Sequence, residues 1–178
     1  AMMTTDTHPK EVGVTLELDG TTVRIGGVAK GAGMLHPNMA TMLCFVATDA
    51  AVDQDYLSSI LPDVADSSLN MLTVDGDSST NDTLLLLANG AACNAPITAA
   101  SPQAEDLKAG LLEVCVQLTR QLARDGEGAT RLLVVDVDGA KNIEDARGAA
   151  RTIASSLLVK SAVYGADPNW GRLIMALG

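Results

Sequence analysis

Asp19-Gly20 is the dipeptide that most restricts how this chain can fold. It stands between two alternating apolar–polar runs, VGVTLEL at 12–18 and TTVRIGGV at 21–28. Asp-Gly tolerates the left-handed backbone of a two-residue turn, so these residues predict a β-hairpin. The next stretch, Lys30 to Ala40 (KGAGMLHPNMA), contains two glycines, a proline and an asparagine and reads as a loop. Residues 41–48 (TMLCFVAT) are short and apolar, as in a buried strand, although periodicity alone leaves a helix open.

Further along, Asp53 to Leu61 reads as a helix ended by Pro62, with a second helix from about Asp63 to Leu69. DGDSSTNDT at 75–83 is polar and rich in turn formers, hence a loop or an element terminus. Leu84 to Ala88 is a buried strand or the core of a helix, and Gly90 to Ser101 a linker. Ser101-Pro102 with Glu105 marks a helix start with proline in the first turn. Leu107, Leu111, Val114, Cys115, Leu118 and Leu122 then fall on one helical face, which Asp125-Gly126-Glu127-Gly128 terminates. RLLVVDV at 131–137 is the clearest strand pattern. A helix with Ala146, Ala149, Ala150, Ile153, Ala154 and Leu157 on its face comes after it. Residues 158–164 suit another strand, 165–169 a turn, and Trp170 onward a helix. The mixed order gives an α/β or α+β class with layered packing.

Composition narrows the function. Of 178 residues, 47% are apolar but only 2% aromatic, so the core is built from Ala, Val, Leu, Ile and Met. A net charge of -10 without a Lys/Arg run excludes the usual footprint of a nucleic-acid binder. Cys44, Cys93 and Cys115 are odd in number and widely spaced, which speaks against a disulfide framework or a zinc site and for a reducing cytoplasm. His8 and His36 belong to no ligand motif. The N-terminal residues lack a secretory signal pattern, and no apolar run is long enough to span a bilayer. The final residues, LIMALG, stop in mid-pattern, as in a fragment of a longer chain.

Taken alone, Thr41 is a β-branched residue entering an apolar strand, and a structural role suffices. The surrounding string KGAGMLHPNMATMLCFVATDA, residues 30–50, changes that reading. It resembles the self-cleavage segment of the ornithine acetyltransferases. MTTDTHPK at 3–10, DGDSSTNDTLLLLANG at 75–90, DGEGAT at 125–130 and KSAVYGADPNWGRLIMALG at 160–178 resemble that family in the same order. The resemblance covers nearly the whole chain. It implies an αββα-type sandwich, as in proteins with an N-terminal nucleophile, truncated here at both ends. It also implies autocatalytic cleavage between Ala40 and Thr41. Residues 1–40 would then end the first (α) subunit and 41–178 begin the second (β) subunit.

The implied chemistry moves an acetyl group from N-acetylornithine to glutamate through an acetyl-threonine intermediate, a recycling step of arginine biosynthesis. Acetyl-CoA is a further donor in some members. A threonine hydroxyl needs an adjacent base, and cleavage before Thr41 would expose an α-amino group of reference pKa about 7.7–8.0 on the same residue. By motif, Thr41 matches the nucleophile and a substrate contact, Thr4 and Lys30 match substrate-binding residues, and Glu127 matches the active-site glutamate. No metal or bound cofactor is implied. A cationic Lys30 suits carboxylate-bearing substrates. The polar cluster Ser78 to Asp82 reads as a capped element start, and Asp167 to Arg172 as a structural turn.

The family's oxyanion-hole residues lie in a Thr-Gly block upstream of Ala1, and further substrate contacts lie beyond Gly178. Losing one oxyanion donor costs about 100- to 1000-fold, so these 178 residues alone are expected to have little or no transferase activity. A related N-terminal-nucleophile aminopeptidase, a secondary-metabolism acyltransferase and an inactive binding or scaffold module of the same fold are the competing readings. For the full protein the resemblance implies a cytoplasmic heterotetramer of two α and two β subunits, binding small molecules and neither nucleic acid nor membrane.

Overall fold

The computed structural model describes residues 2–36 and 42–178. The expected cleavage pair, Ala40 and Thr41, lies outside the described residues. The hairpin forms as the sequence predicts: β1 (Lys10–Leu18) pairs antiparallel with β2 (Thr21–Lys30). Asp19 and Gly20 both take positive φ, 51° and 75°, the backbone that matches the twist of the flanking strands. β3 (Leu43–Thr48) pairs antiparallel with β2, and β4 (Thr83–Ala88) pairs parallel with β3. The sheet order is therefore β1-β2-β3-β4. A parallel neighbour requires a crossover, which residues between β3 and β4 supply with α1 (Gln54–Asp66).

One face of the sheet is covered by α2 (Ala104–Arg124), which packs on β1 and β2. Val23, Ile25, Cys44 and Val46 contribute to this layer from the strands, and Leu107, Val114 and Leu118 meet them from the helix. Of the paired glycines of β2, Gly27 is the one this packing requires. A Cβ there would lie 2.7 Å from Val114 and 2.8 Å from Leu118, so only glycine lets the helix settle this close. The Tyr56 hydroxyl donates to the Ala104 carbonyl at 2.7 Å and ties α1 to the start of α2. The opposite sheet face, with Val28, Leu85 and Leu87, stays exposed. The described residues thus supply one sheet and one helical layer of a mixed α+β fold.

Some local expectations differ from the structure. α1 runs through Pro62 instead of ending before it, and the separate helix over 63–69 reduces to a single short turn at Leu69–Met71. Burial of Tyr56, Ile60 and Val64 along one side carries the helix past the missing N–H. Pro102 falls in a turn before α2, closed by the Ala104 N–H to Ser101 carbonyl bond, and not in the helix's first turn.

Residues 131–137 form no strand, because β-propensity becomes a strand only where a neighbouring strand supplies the ladder, and no described strand offers one. Residues 158–164 belong to α4 (Leu157–Tyr164), whose N–H of Val159 is capped by Ser156 and which buries Val159 and Ala162 at helical spacing. α3 (Ile143–Ser155) buries Ala150 and Ile153 as read, but Leu157 lies beyond it and is exposed. α5 (Trp170–Leu177) starts where the sequence places it.

Candidate active site

Two segments distant in sequence meet at the start of β1 through a buried ion cluster. The Lys10 ammonium donates to Asp6 Oδ1 and to Asp125 Oδ2, each at 2.5 Å. All three side chains are nearly inaccessible. Asp6 Oδ1 also accepts the Gly31 N–H at 2.6 Å, and its other oxygen accepts the Thr4 N–H at 3.0 Å. Asp125 accepts from the Thr7 N–H at 2.9 Å and from the Thr7 hydroxyl, with His8 Nδ1 at 3.3 Å. Burial alone would raise the Asp6 carboxyl. The Gly31 N–H, the Lys10 ammonium and the Thr4 N–H outweigh it and hold the pKa at about 2. The same contest between burial and its donors, won by Lys10 and Thr7, holds Asp125 well below the usual carboxylate range.

This cluster gathers the segments that bear three of the predicted site residues. Thr4 is anchored through Asp6. Lys30, buried at the end of β2, is next to Gly31, which Asp6 holds. Glu127 is placed by its own N–H, which donates to the Ala32 carbonyl at 2.7 Å. A Cβ on Gly33 would lie 2.9 Å from the Glu127 carboxyl carbon, so the glycine-bearing loop and the glutamate are in close apposition. Glu127 also borders a cavity of about 260 Å³ that includes Val74, Arg131 and Lys160. Burial lowers the pKa of Lys160, against the opposing charge of Asp75, and its ammonium donates to the Val74 carbonyl at 2.6 Å.

The DGDSSTND block does more than open a strand. It holds both flanks of residues 37–41. On one side Asp75 accepts the Met34 N–H at 2.5 Å and the Leu35 N–H at 3.1 Å, and the Ser78 hydroxyl donates to the His36 carbonyl at 3.0 Å. On the other, Asp82 Oδ1 accepts the Met42 N–H at 2.6 Å, while the Thr83 N–H donates to the Met42 carbonyl. Lys30, Leu43 and Thr83 align across three strands, so Lys30 and Asp82 share one end of the sheet. Asp82 Oδ2 is buried and has no partner among the described residues. Burial raises this carboxyl, against the lowering effects of the Met42 N–H and the Lys30 charge.

Motif and spacing thus point to Thr4, Lys30 and Glu127 but not to Asp6, Lys10, Asp125 and Asp82. Each of these four lies inside one of the family-like motifs, but each also has a partner outside its own motif and at least 25 residues away. Among the described residues no group of three or more His, Cys, Asp or Glu is placed to hold a metal ion. Among them, too, no helix is long and apolar enough to cross a membrane.

The ArgJ family model matches residues 1–178. The chain belongs to the ArgJ family. That agrees with the resemblance carried by its ordered motifs. It is 53% identical over 178 residues to the arginine biosynthesis bifunctional protein ArgJ of Dehalococcoides mccartyi, covering all of this chain and 44% of the relative. It is 51% identical over 182 residues to the glutamate N-acetyltransferase of Methanocaldococcus jannaschii, again covering 100% and 44%. The chain thus spans less than half the length of these relatives. The crystal structure of the arginine biosynthesis bifunctional protein ArgJ from Bacillus halodurans matches with a TM-score of 0.74 at 46% identity. That match covers 75% of this chain and 63% of the other. ArgJ family membership and this structural likeness agree on the α+β class.

Proposed function

We propose that the full protein is a glutamate N-acetyltransferase of arginine biosynthesis that works through Thr41. The observation that carries this reading is the convergence, on the Gly31–Ala32 segment that leads into residues 37–41, of the segments bearing Thr4, Lys30 and Glu127. In the reaction, the Thr41 hydroxyl attacks the Ala40 carbonyl carbon, the Ala40–Thr41 C–N bond breaks, and water hydrolyses the resulting ester. The freed α-amine then takes the hydroxyl proton as Thr41 attacks the acetyl carbonyl of N-acetylornithine. The amide C–N bond breaks and ornithine leaves with that proton. Glutamate's amine attacks the acetyl ester, forming N-acetylglutamate and regenerating the hydroxyl.

Lys30 and Thr4 bind the substrate, with the Lys30 ammonium on a carboxylate, and Glu127 holds the substrate's amine or the Thr41 ammonium. Thr41 supplies nucleophile and base, so the reaction as written calls on no metal or bound cofactor. The proposal includes a cytoplasmic protein that assembles from two α and two β subunits.

Intact mass of the full protein beside Thr41→Ala tests the cleavage. Two pieces meeting at Ala40/Thr41, absent in the variant, are expected, and N-acetylornithine should add one acetyl group to the piece that begins with Thr41. A single uncut chain that acquires no acetyl group would remove Thr41 as nucleophile and favour a binding module. Release of an amino acid from short peptides, without acetyl transfer, would favour an aminopeptidase. Acetyl transfer from acetyl-CoA to glutamate in the same assay would add the second donor.

A further inference from the structure

Lys160, from α4, lines the cavity of about 260 Å³ that Glu127 borders. It is half-buried, and among the described residues its ammonium meets one acceptor, the neutral Val74 carbonyl at 2.6 Å. Among the same residues it forms no ion pair, with Glu127 or with any other carboxylate. Asp75 acts on it from farther away, and the two Asp75 oxygens already accept the Met34 and Leu35 N–H groups. Burial disfavours the charged form of Lys160, and two of its three donors remain for an anion. Arg131 lines the cavity too, but it is exposed and its charge is met by water. The cavity wall is tied to the residues that lead into 37–41. The Val74 N–H donates to the Leu35 carbonyl at 2.6 Å, and the Thr73 hydroxyl pairs with His36 Nδ1 at 3.0 Å. The volume is below the roughly 300–1,000 Å³ of sites for drug-sized ligands, which suits a single amino-acid side chain.

We propose that Lys160 determines acceptor choice: its ammonium holds the side-chain carboxylate of glutamate, in the cavity where Glu127 holds the side-chain ammonium of N-acetylornithine. This rests on the reading of the protein as a transferase working through Thr41. Donor and acceptor share an α-carboxylate, which Lys30 serves, but their side chains carry opposite charges. A two-step transfer through one site therefore has to accept both signs in turn. A Glu–Lys ion pair would have to be broken by either ligand, whereas two unpaired groups keep one charge for each.

The experiment uses the full protein and reads the half-reactions separately. Thr41 is acetylated by N-acetylornithine, and the acetyl-enzyme is then discharged by glutamate or by glutamine, which has the same shape without the charge. Acetylation in the wild type is the prior control, and its absence defeats the functional reading itself, whatever Lys160 does. With that control passed, Lys160→Gln removes the charge and keeps a donor for Val74. It should lower the ratio of second-order rates, glutamate over glutamine, at least about tenfold. Lys160→Arg, which keeps the charge, should hold the ratio nearer the wild-type value. A merely structural role would slow both acceptors alike. An unchanged ratio in Lys160→Gln would overturn the proposal, and so would a ratio in Lys160→Arg as low as that in Lys160→Gln. Where Lys160→Gln does not fold, the wild type is labelled with an amine-reactive anhydride and read by peptide mass. N-acetylglutamate should suppress labelling of Lys160 and N-acetylglutamine should not. Equal labelling of Lys160 with either ligand would overturn the proposal.

Discussion

The cluster around Lys10 and the carboxylate at Asp82 lie at the same end of the sheet, on strands at its opposite edges, yet they have opposite characters. Asp6 and Asp125 are buried with a cation and several N–H donors, and their acidity is strengthened. Asp82 is half-buried, with one N–H, a more distant cation and a buried, unpartnered oxygen, and its acidity is weakened. The first arrangement holds segments together at the cost of fixing every partner. The second keeps an acceptor open for a further donor. Perturbed carboxylates are thus not equivalent: the sign of the shift and the presence of an unused acceptor separate a fastener from a group that keeps an acceptor open.

The largest expected effect that would test this contrast is that of Lys10→Met. It strands two buried carboxylates, so unfolding in urea should lose about 3–5 kcal/mol. A loss below about 1 kcal/mol would mean that the cluster is not a fastener. Acid provides the next test. The folded pKa of Asp6 is about 2 against an ordinary 3.8, a lowered value, so its stabilisation is present above the unfolded pKa and disappears as pH falls toward 2. Wild type should therefore exceed Asp6→Asn by about 2 kcal/mol at about pH 6, with the gap closing between about pH 5 and pH 2. A constant gap would refute the assignment.

Gly33→Ala comes third. Its methyl displaces the exposed Glu127 carboxyl, so stability should change by less than about 1 kcal/mol while KM for the acetyl donor rises several-fold in the full protein. The smallest effect is that of Asp82→Asn on stability. A raised folded pKa means that stability is lost as pH rises through it, so at about pH 7 the ionised group carries a cost. Thermal melts should show the variant within about 1 kcal/mol of wild type and on the stabilised side. A loss comparable to that of Lys10→Met would erase the distinction between the two regions.

How far the sequence could be read depends on the range of the interactions. Asp19-Gly20 specifies its turn through its own backbone, and the α2 face through spacing within one helix, so both were legible. The α1 helix continues through Pro62 because Ile60 and Val64 are buried, which no local rule at Pro62 reveals. RLLVVDV has strand composition, but a strand also requires a partner. In the site, the motifs single out Thr4, Lys30 and Glu127, and the structure brings the segments bearing them together. The carboxylates that hold the segments around them were not legible. Asp125 is 115 residues from Lys10, and Asp82 is 40 residues from Met42. A polar cluster such as STND looks the same in sequence whether it caps a strand or holds a neighbouring backbone.

The pairing of β2 with β3 bears on the fate of a chain cut at Ala40–Thr41. The cut would sever the connection between two adjacent strands without parting them, because their ladder is intact on either side of it. α2, which belongs to the second piece, also lies across β1 and β2 of the first. To separate, the pieces would have to open the β2–β3 ladder and lift α2 off the sheet together, so exchange between molecules should be slow. Refolding, however, changes molecularity. An uncut chain closes β2 on β3 within one molecule, whereas nicked pieces must first find each other, so their melting temperature should rise with protein concentration where that of Thr41→Ala does not.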